Sequence, residues 1–99
     1  MLNISKATDG ADLTVTLEGR LDTSTAPQLE EELKSSLDGI ANLTFDMKEL
    51  AYISSAGLRV LLSTQKIMNK QGSMVIKNAD EQIKEIFDVT GFSDILTIE

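Results

Sequence analysis

The sequence predicts an α/β domain built on a mixed, mostly parallel sheet of about five strands, with an N-terminal hairpin and three or four helices. Two alternating segments open the chain, and segments with a helical repeat then take turns with segments that alternate apolar and polar residues. The predicted order is β-β-α-β-α-β-α-β. Strands joined through helices favour right-handed crossovers and parallel pairing, which places the first strand at an edge of the sheet.

The first two strands are predicted as an antiparallel hairpin. Residues 2–8 ("LNISKAT") and 12–19 ("DLTVTLEG") both alternate apolar and polar side chains, which is typical of strands with one solvated face. Asp9 and Gly10, between them, are a common turn pair.

The first helix is predicted over residues 23–37 ("TSTAPQLEEELKSSL"). Its apolar positions recur every four residues: Leu29, Leu33 and Leu37. Thr25 and Gln28 have the spacing of a capping box, and Pro27 lies in the first turn, where proline is tolerated. The helix is expected to end near Asp38–Gly39.

The remaining elements are predicted in order: a strand over 42–47, a helix over 53–72, a strand over 73–77, a helix over 78–91 and a last strand over 94–99. Gly72 is the expected stop of the second helix, and Asn78 the expected N-cap of the third. The apolar face of the second helix is expected to contain these residues: Leu58, Val60, Leu61, Leu62, Gln65 and Ile67.

Composition excludes several classes of protein. The 99 residues, 41% hydrophobic and 25% charged, are sufficient for a single domain over 1–99 and too few for two independent cores. Without cysteine or histidine the chain has no disulfide, no zinc site of the usual kind and no histidine-based triad. It also lacks a phosphate-binding glycine loop. We therefore expect no enzyme activity, no cofactor and no metal.

The charge and the N-terminal segment bear on location and partners. Met1 leads into "LNISKATDG", which has no basic and apolar signal region, and no run approaches the ~20 apolar residues of a membrane span. We expect a cytoplasmic protein that is a monomer when free. A net charge of −7 argues against nucleic acid and anionic membranes, and favours a protein partner with a cationic face.

The stretch "AYISSAGLRVLL" (51–62) is the candidate site. Ser54 is expected to cap the second helix, and Ser55 to be its first residue, at a terminus that favours negative charge. Gly57 lacks a side chain where a partner backbone could approach. The residues alone leave two interpretations open, a structural cap or a regulated contact serine. A second serine pair, 35–36, is interpreted as the polar end of an amphipathic helix.

Three stretches together resemble the STAS domain, the module of bacterial anti-sigma factor antagonists and of sulfate-transporter tails. They are "GRLDTSTAPQLEEEL", "LAYISSAGLRVLL" and "GFSDILTI". The family motifs "G-x-L-D" and "D-S-[ST]-G" are represented here by "GRLD" and "SSAG". The chain resembles the free-standing antagonists rather than the transporter tails.

The resemblance implies a partner switch. The dephosphorylated protein would bind an anti-sigma factor that is a serine kinase and so release a sigma factor; the kinase would use ATP and Mg²⁺ to phosphorylate the antagonist, and a serine phosphatase would reverse this. By position the phosphoacceptor is Ser55, two residues before Gly57, with Ser54 as the alternative. The implied partner-binding residues are Asp22, Thr23, Ser54, Ser55, Ala56, Gly57 and Arg59.

Two positions differ from the family motif, since Ser54 replaces the usual aspartate and Ala56 the usual serine or threonine. Asp22 has a second interpretation, in which it is only a turn residue after the second strand and does not contact the kinase. Two other functions remain open: a non-switching STAS scaffold or subunit of a signalling or lipid-transport complex, and a sensor that binds a nucleotide or small anion at the second helix.

Overall fold

The computed structural model describes residues 2–99, and their order agrees with the prediction up to the last strand. The elements are β1 (Leu2–Asp9), β2 (Asp12–Leu21), α1 (Ala26–Lys34), β3 (Asn42–Ile53), α2 (Ser55–Gln71), β4 (Ser73–Lys77), α3 (Glu81–Val89) and a short 3₁₀ helix (Phe92–Asp94). Within these residues the sheet order is β1-β2-β3-β4, with β1 antiparallel to β2 and the other pairs parallel. The predicted α/β class and mixed, mostly parallel sheet are confirmed.

The core lies on one face of the sheet. Val15, Phe45 and Ile76 are paired across β2, β3 and β4, and all three are fully buried. Their neighbours in the next row, Thr14–Thr44–Val75, are only partly buried. Both crossovers advance in the same direction across the sheet, so right-handed connections place α1 and α2 on the same face. The opposite face is solvated.

The predicted fifth strand over 94–99 is reduced to a single bridge. The backbone N–H groups of Ile95 and Leu96 both donate to the carbonyl of Phe92, so these residues continue a helical turn instead of pairing with β4. Pairing is limited to the bridge between Ile76 and Ile98. Alternation alone could not separate a short turn from a strand here.

The third strand is longer than predicted, since it continues beyond residue 47 to Ile53. Lys48 and Glu49 are both exposed, so the apolar alternation is interrupted within the strand. The register with β2 shifts between Thr16 and Glu18 and again after Gly19. Because of these irregularities, the second half of β3 lacks the apolar–polar alternation by which a strand is recognised in a sequence.

Two predicted caps are wrong. Thr25 precedes α1, but its hydroxyl accepts from the Asp22 N–H at 2.8 Å and donates to the Arg20 carbonyl, so no capping box forms. At α3 the cap is Asp80, whose carboxylate accepts from the Ile83 N–H at 2.9 Å. Asn78 instead adopts a left-handed φ of 62° and donates to Asp46.

Helix α1 also ends earlier than predicted, at Lys34. The hydroxyls of Ser35 and Ser36 both donate to the Glu32 carbonyl, which is the usual way in which serine competes with helix continuation. On α2, Leu58, Leu61 and Gln65 are buried as expected, whereas Ile67 is 43% exposed and lies outside the core.

Candidate functional site

Two neighbouring parallel strands end side by side at the candidate site. Leu21, the last residue of β2, is paired with Ile53, the last residue of β3. The Ser54 N–H extends this pairing by donating to the Leu21 carbonyl at 2.9 Å. Asp22 and Ser54 each follow one of the paired residues, so both lie at the carboxyl edge of the sheet.

Ser54 is the N-cap of α2, as the sequence predicts. Its backbone is extended (φ −100°, ψ 175°), its hydroxyl accepts from the Gly57 N–H at 3.4 Å, and its carbonyl accepts from the Leu58 N–H at 2.9 Å. The cap bond is longer than the 2.7–3.2 Å usual for N–H···O contacts, which makes it weak. Ser54 is therefore partly buried, and its hydroxyl, N–H and carbonyl groups all form hydrogen bonds within the protein.

Ser55 differs from its neighbour. It is the first residue of α2 and is exposed. Among the side-chain hydrogen bonds of residues 2–99, none includes the Ser55 hydroxyl, so it is available to another molecule. The first amides of α2 and the positive end of the helix dipole are close to this position and favour an anion.

Gly57 has a packing role that the sequence did not reveal. It is buried, and a β-carbon added there would lie 2.7 Å from Leu21 Cγ and 2.9 Å from Ile53 Cγ1. The glycine therefore lets the first turn of α2 pack directly on the ends of β2 and β3. The space above its α-carbon is filled by the protein itself rather than left for a partner.

Asp22 organises the turn that leads into α1. Its carboxylate accepts from the Ser24 hydroxyl at 2.8 Å, the Ser24 N–H at 3.0 Å and the Thr25 N–H at 3.2 Å. These hydrogen bonds, that of the Ser24 hydroxyl foremost, hold the pKa of Asp22 below its ordinary value because they stabilise the charged form. Desolvation of the carboxylate opposes them but does not reverse the direction of the shift. Asp22 is thus an ionised turn residue at the edge that also presents Ser54.

An arginine beside Asp22 also contacts a tyrosine. Arg20 and Tyr52 are partners across β2 and β3, and the Arg20 guanidinium lies 4.3 Å from the centre of the Tyr52 ring. The Arg20 Nε is 3.7 Å from the second carboxylate oxygen of Asp22. Sequence reasoning missed this pair, because the bulges between β2 and β3 make the partner of Arg20 unpredictable from spacing.

A shallow cleft of about 280 Å³ separates α1 from α2 at this end of the molecule. One wall contains Ala56 and Arg59, and the other contains Thr23, Pro27 and Glu30. The fold therefore brings together the predicted residues Thr23, Ala56 and Arg59 close to Ser55, whereas Gly57 faces the interior.

Other kinds of site find little support in the part of the chain that is described. Among residues 2–99, no three acidic side chains are grouped closely enough to hold a metal ion. No helix within those residues has the length and apolar character needed to cross a bilayer.

Comparison with known proteins shows similarity over almost the whole chain. The family model of the STAS domain matches residues 3–99. The anti-sigma-B factor antagonist of Bacillus subtilis is 34% identical over 98 residues, which cover 98% of this chain and 90% of that protein.

Two solved structures share the fold. An anti-sigma factor antagonist from Mycobacterium paratuberculosis superposes with a TM-score of 0.89 at 19% identity, covering 99% of this chain and 85% of the other. The phosphorylated form of the Bacillus cell fate determinant SpoIIAA has a TM-score of 0.75 at 13% identity, covering 100% and 91%. With a family model that matches almost every residue, the chain belongs to the STAS domain family.

Proposed function

We propose that this protein is an anti-sigma factor antagonist controlled by phosphorylation of Ser55. In its dephosphorylated state it binds an anti-sigma serine kinase and so releases a sigma factor in the cytoplasm. Phosphate on Ser55 ends the binding, and a serine phosphatase restores it. The protein's role is regulatory rather than catalytic. The name of the Bacillus subtilis relative, 34% identical over nearly the whole chain, supports the antagonist role.

The observation that carries the proposal is the contrast between the two adjacent serines. The Ser54 hydroxyl caps α2 and its N–H completes the pairing of β2 with β3. The Ser55 hydroxyl is exposed and has no hydrogen-bond partner within residues 2–99. A kinase must reach and align the acceptor hydroxyl, which favours Ser55 over Ser54.

The fold can carry a phosphate at this position. A phosphoserine has a charge of about −1.5 to −2 at pH 7. At the first residue of α2 it would face unpaired amides and the positive end of the dipole, worth about 0.3–1 kcal/mol. Exposed charges elsewhere are screened over roughly 8–10 Å at physiological salt. The phosphate should therefore leave the domain folded.

The same charge is sufficient to switch binding. Two like charges about 4 Å apart at an effective dielectric near 20 repel by up to ~4 kcal/mol before screening and relaxation. A tenfold change in affinity needs only about 1.4 kcal/mol. A single carboxylate of the partner near Ser55 is thus enough for phosphorylation to lower the affinity of the complex tenfold or more.

Incubation with candidate anti-sigma kinases, ATP and Mg²⁺, followed by intact mass and peptide mapping, tests the proposal. One phosphate on Ser55 is expected in the wild type and none in Ser55→Ala. Ser63→Ala is the matched control, because Ser63 is an exposed serine on the same helix. Phosphate found only on Ser54 contradicts the acceptor assignment. Kinase binding that is unchanged by phosphorylation would instead indicate a non-switching scaffold.

A further inference from the structure

Arg59 lies one helical turn after Ser55. Side chains four residues apart on an α-helix are surface neighbours, with β-carbons about 5–6 Å from one another. The guanidinium of arginine presents its N–H donors as a planar fork that matches the oxygens of a phosphate. The four-residue spacing on α2 therefore allows the Arg59 side chain to reach a phosphate on Ser55.

Arg59 has no competing partner in the described chain. It is exposed and lines the cleft near Glu30, yet among the ion pairs of residues 2–99 none includes Arg59. The chain's other arginine, Arg20, is held between the ring of Tyr52 and the carboxylate of Asp22. The cation closest to Ser55 along α2 is thus the arginine that can accept a new anion.

We propose that Arg59 binds the phosphate of Ser55, so that phosphorylation adds an anion to the partner-binding surface and withdraws a cation from it at the same time. The inference rests on the proposed function, in which Ser55 is the phosphoacceptor and Arg59 belongs to the partner-binding surface. The order along α2, anion before cation, is the favourable one because it agrees with the helix dipole.

Groups of both signs surround this end of α2 and have opposite effects on a phosphate dianion. Glu30 of α1 lines the same cleft, and Asp22 follows β2 at the same edge of the sheet, so both carboxylates disfavour a phosphate dianion. Arg59 and the first amides of α2 favour it. Removal of the arginine should therefore make the second ionisation of the phosphate more difficult and raise its pKa.

The experiment uses the full chain with phosphoserine introduced at position 55 during synthesis, so that no kinase is needed. The second pKa of the phosphate is measured by ³¹P NMR titration in the wild type, Arg59→Gln, Arg59→Lys and Lys66→Gln. We expect Arg59→Gln to raise it by about 0.2–0.4 and Arg59→Lys by less. Lys66 is the matched control, because it is exposed on α2 but lies about 16 Å from Ser55 along the helix axis, beyond the screening length.

Equal pKa values in Arg59→Gln and Lys66→Gln would overturn the inference. The unphosphorylated Arg59→Gln protein should melt within about 3 °C of the wild type, since exposed substitutions change stability little; a larger loss would give Arg59 a structural role instead. The two proposals fail separately: a kinase that leaves Ser55 unmodified contradicts the proposed function, while the synthetic phosphoprotein still tests Arg59.

Discussion

The chain contains two Ser-Ser pairs, one at the end of α1 and one at the start of α2, and their surroundings differ completely. Ser35 and Ser36 both donate to the Glu32 carbonyl, and the Ser36 hydroxyl also accepts from the Lys6 ammonium at 2.9 Å. At the start of α2, Ser54 is engaged by the cap, whereas Ser55 is exposed at the end of the helix that favours an anion.

The comparison shows that the end of the helix, rather than the residue type, decides what a serine can do. At the C-terminal end both hydroxyls donate to a carbonyl group of the last helical turn, and an added negative charge would meet the negative end of the dipole. At the N-terminal end one serine is enough for the cap. The second is then available for modification, which is the basis of the proposed function.

The largest effect on stability is expected at Gly57. The change Gly57→Ala places a β-carbon against Leu21 and Ile53, and neither can move far because both are buried at the ends of paired strands. Overpacking of this kind costs about 1–3 kcal/mol of unfolding free energy. Urea denaturation measures it, with Ser63→Ala on the same helix as the control. A cost below about 0.5 kcal/mol would contradict the close packing at this helix start.

The next largest effect is a difference between the two serines: alanine substitution should cost more unfolding free energy at Ser54 than at Ser55. Loss of an N-cap costs about 0.5–2 kcal/mol, and the long 3.4 Å bond places Ser54→Ala in the lower part of that range. Ser55→Ala should change the free energy of unfolding by less than about 0.5 kcal/mol, because alanine is a good helix former and no protein bond is lost. If the two costs were reversed in urea denaturation, Ser55 would be the structural residue.

The change Asp22→Asn should weaken kinase binding, and its small effect on folding stability should depend on pH. Its folded pKa lies below the unfolded value of about 3.8, so its ionised form contributes stability above that pH, and the contribution is lost as the pH falls further. Asp22→Asn keeps an oxygen acceptor for the turn and should weaken kinase binding with little change in melting temperature at pH 7. The stability difference from the wild type should shrink below pH 3.8.

Asp46→Asn is the matched control for Asp22. The pKa of Asp46 is also lowered, chiefly by the hydrogen bond from Asn78, but Asp46 lies seven residues before Ile53 on β3, about 23 Å from the carboxyl edge. Its substitution should leave kinase binding unchanged. Equal losses of binding in both variants would contradict a specific interface role for Asp22.

The smallest effect tests the two helix ends directly. Ser55→Asp adds a charge where the dipole favours it and should leave the unfolding free energy unchanged or raise it slightly. Ser35→Asp adds the same charge at the C-cap of α1 and should lower the free energy by about 0.3–1 kcal/mol. Urea denaturation at low salt measures the difference. High salt should remove the electrostatic part of the difference, leaving only the cost of the Ser35 hydrogen bond to the Glu32 carbonyl that the substitution removes; a difference unchanged by salt would contradict the role of the dipole.

Much of the fold could be predicted because its patterns are local. The alternation of residues 12–19 and the four-residue repeat of Leu29 and Leu33 placed strands and helices correctly. The end of β3 was missed, and a final strand was predicted where only a single bridge forms, since the bulges after Thr16 and Gly19 and the turn at Phe92 depend on tertiary structure. The failed caps have the same origin: Thr25 and Asn78 found partners outside their own helices.

The candidate site was predicted in part. The capping role of Ser54 and the position of Ser55 follow from the composition of a helix start. The arrangement of Arg20, Tyr52 and Asp22 does not, because it depends on a shifted cross-strand register. The packing role of Gly57 was also hidden, since only the structure shows that Leu21 and Ile53 occupy the space of its missing side chain.

The most direct test of the account is the affinity of an anti-sigma kinase for the protein with and without phosphate on Ser55. Titration calorimetry on the two forms, with melting curves recorded in parallel, supplies both quantities. The account predicts an affinity at least tenfold lower for the phosphorylated form, equivalent to about 1.4 kcal/mol, and a melting temperature changed by only a few degrees. Equal affinities, or a loss of binding that accompanies a large loss of stability, would contradict a switch based on local charge.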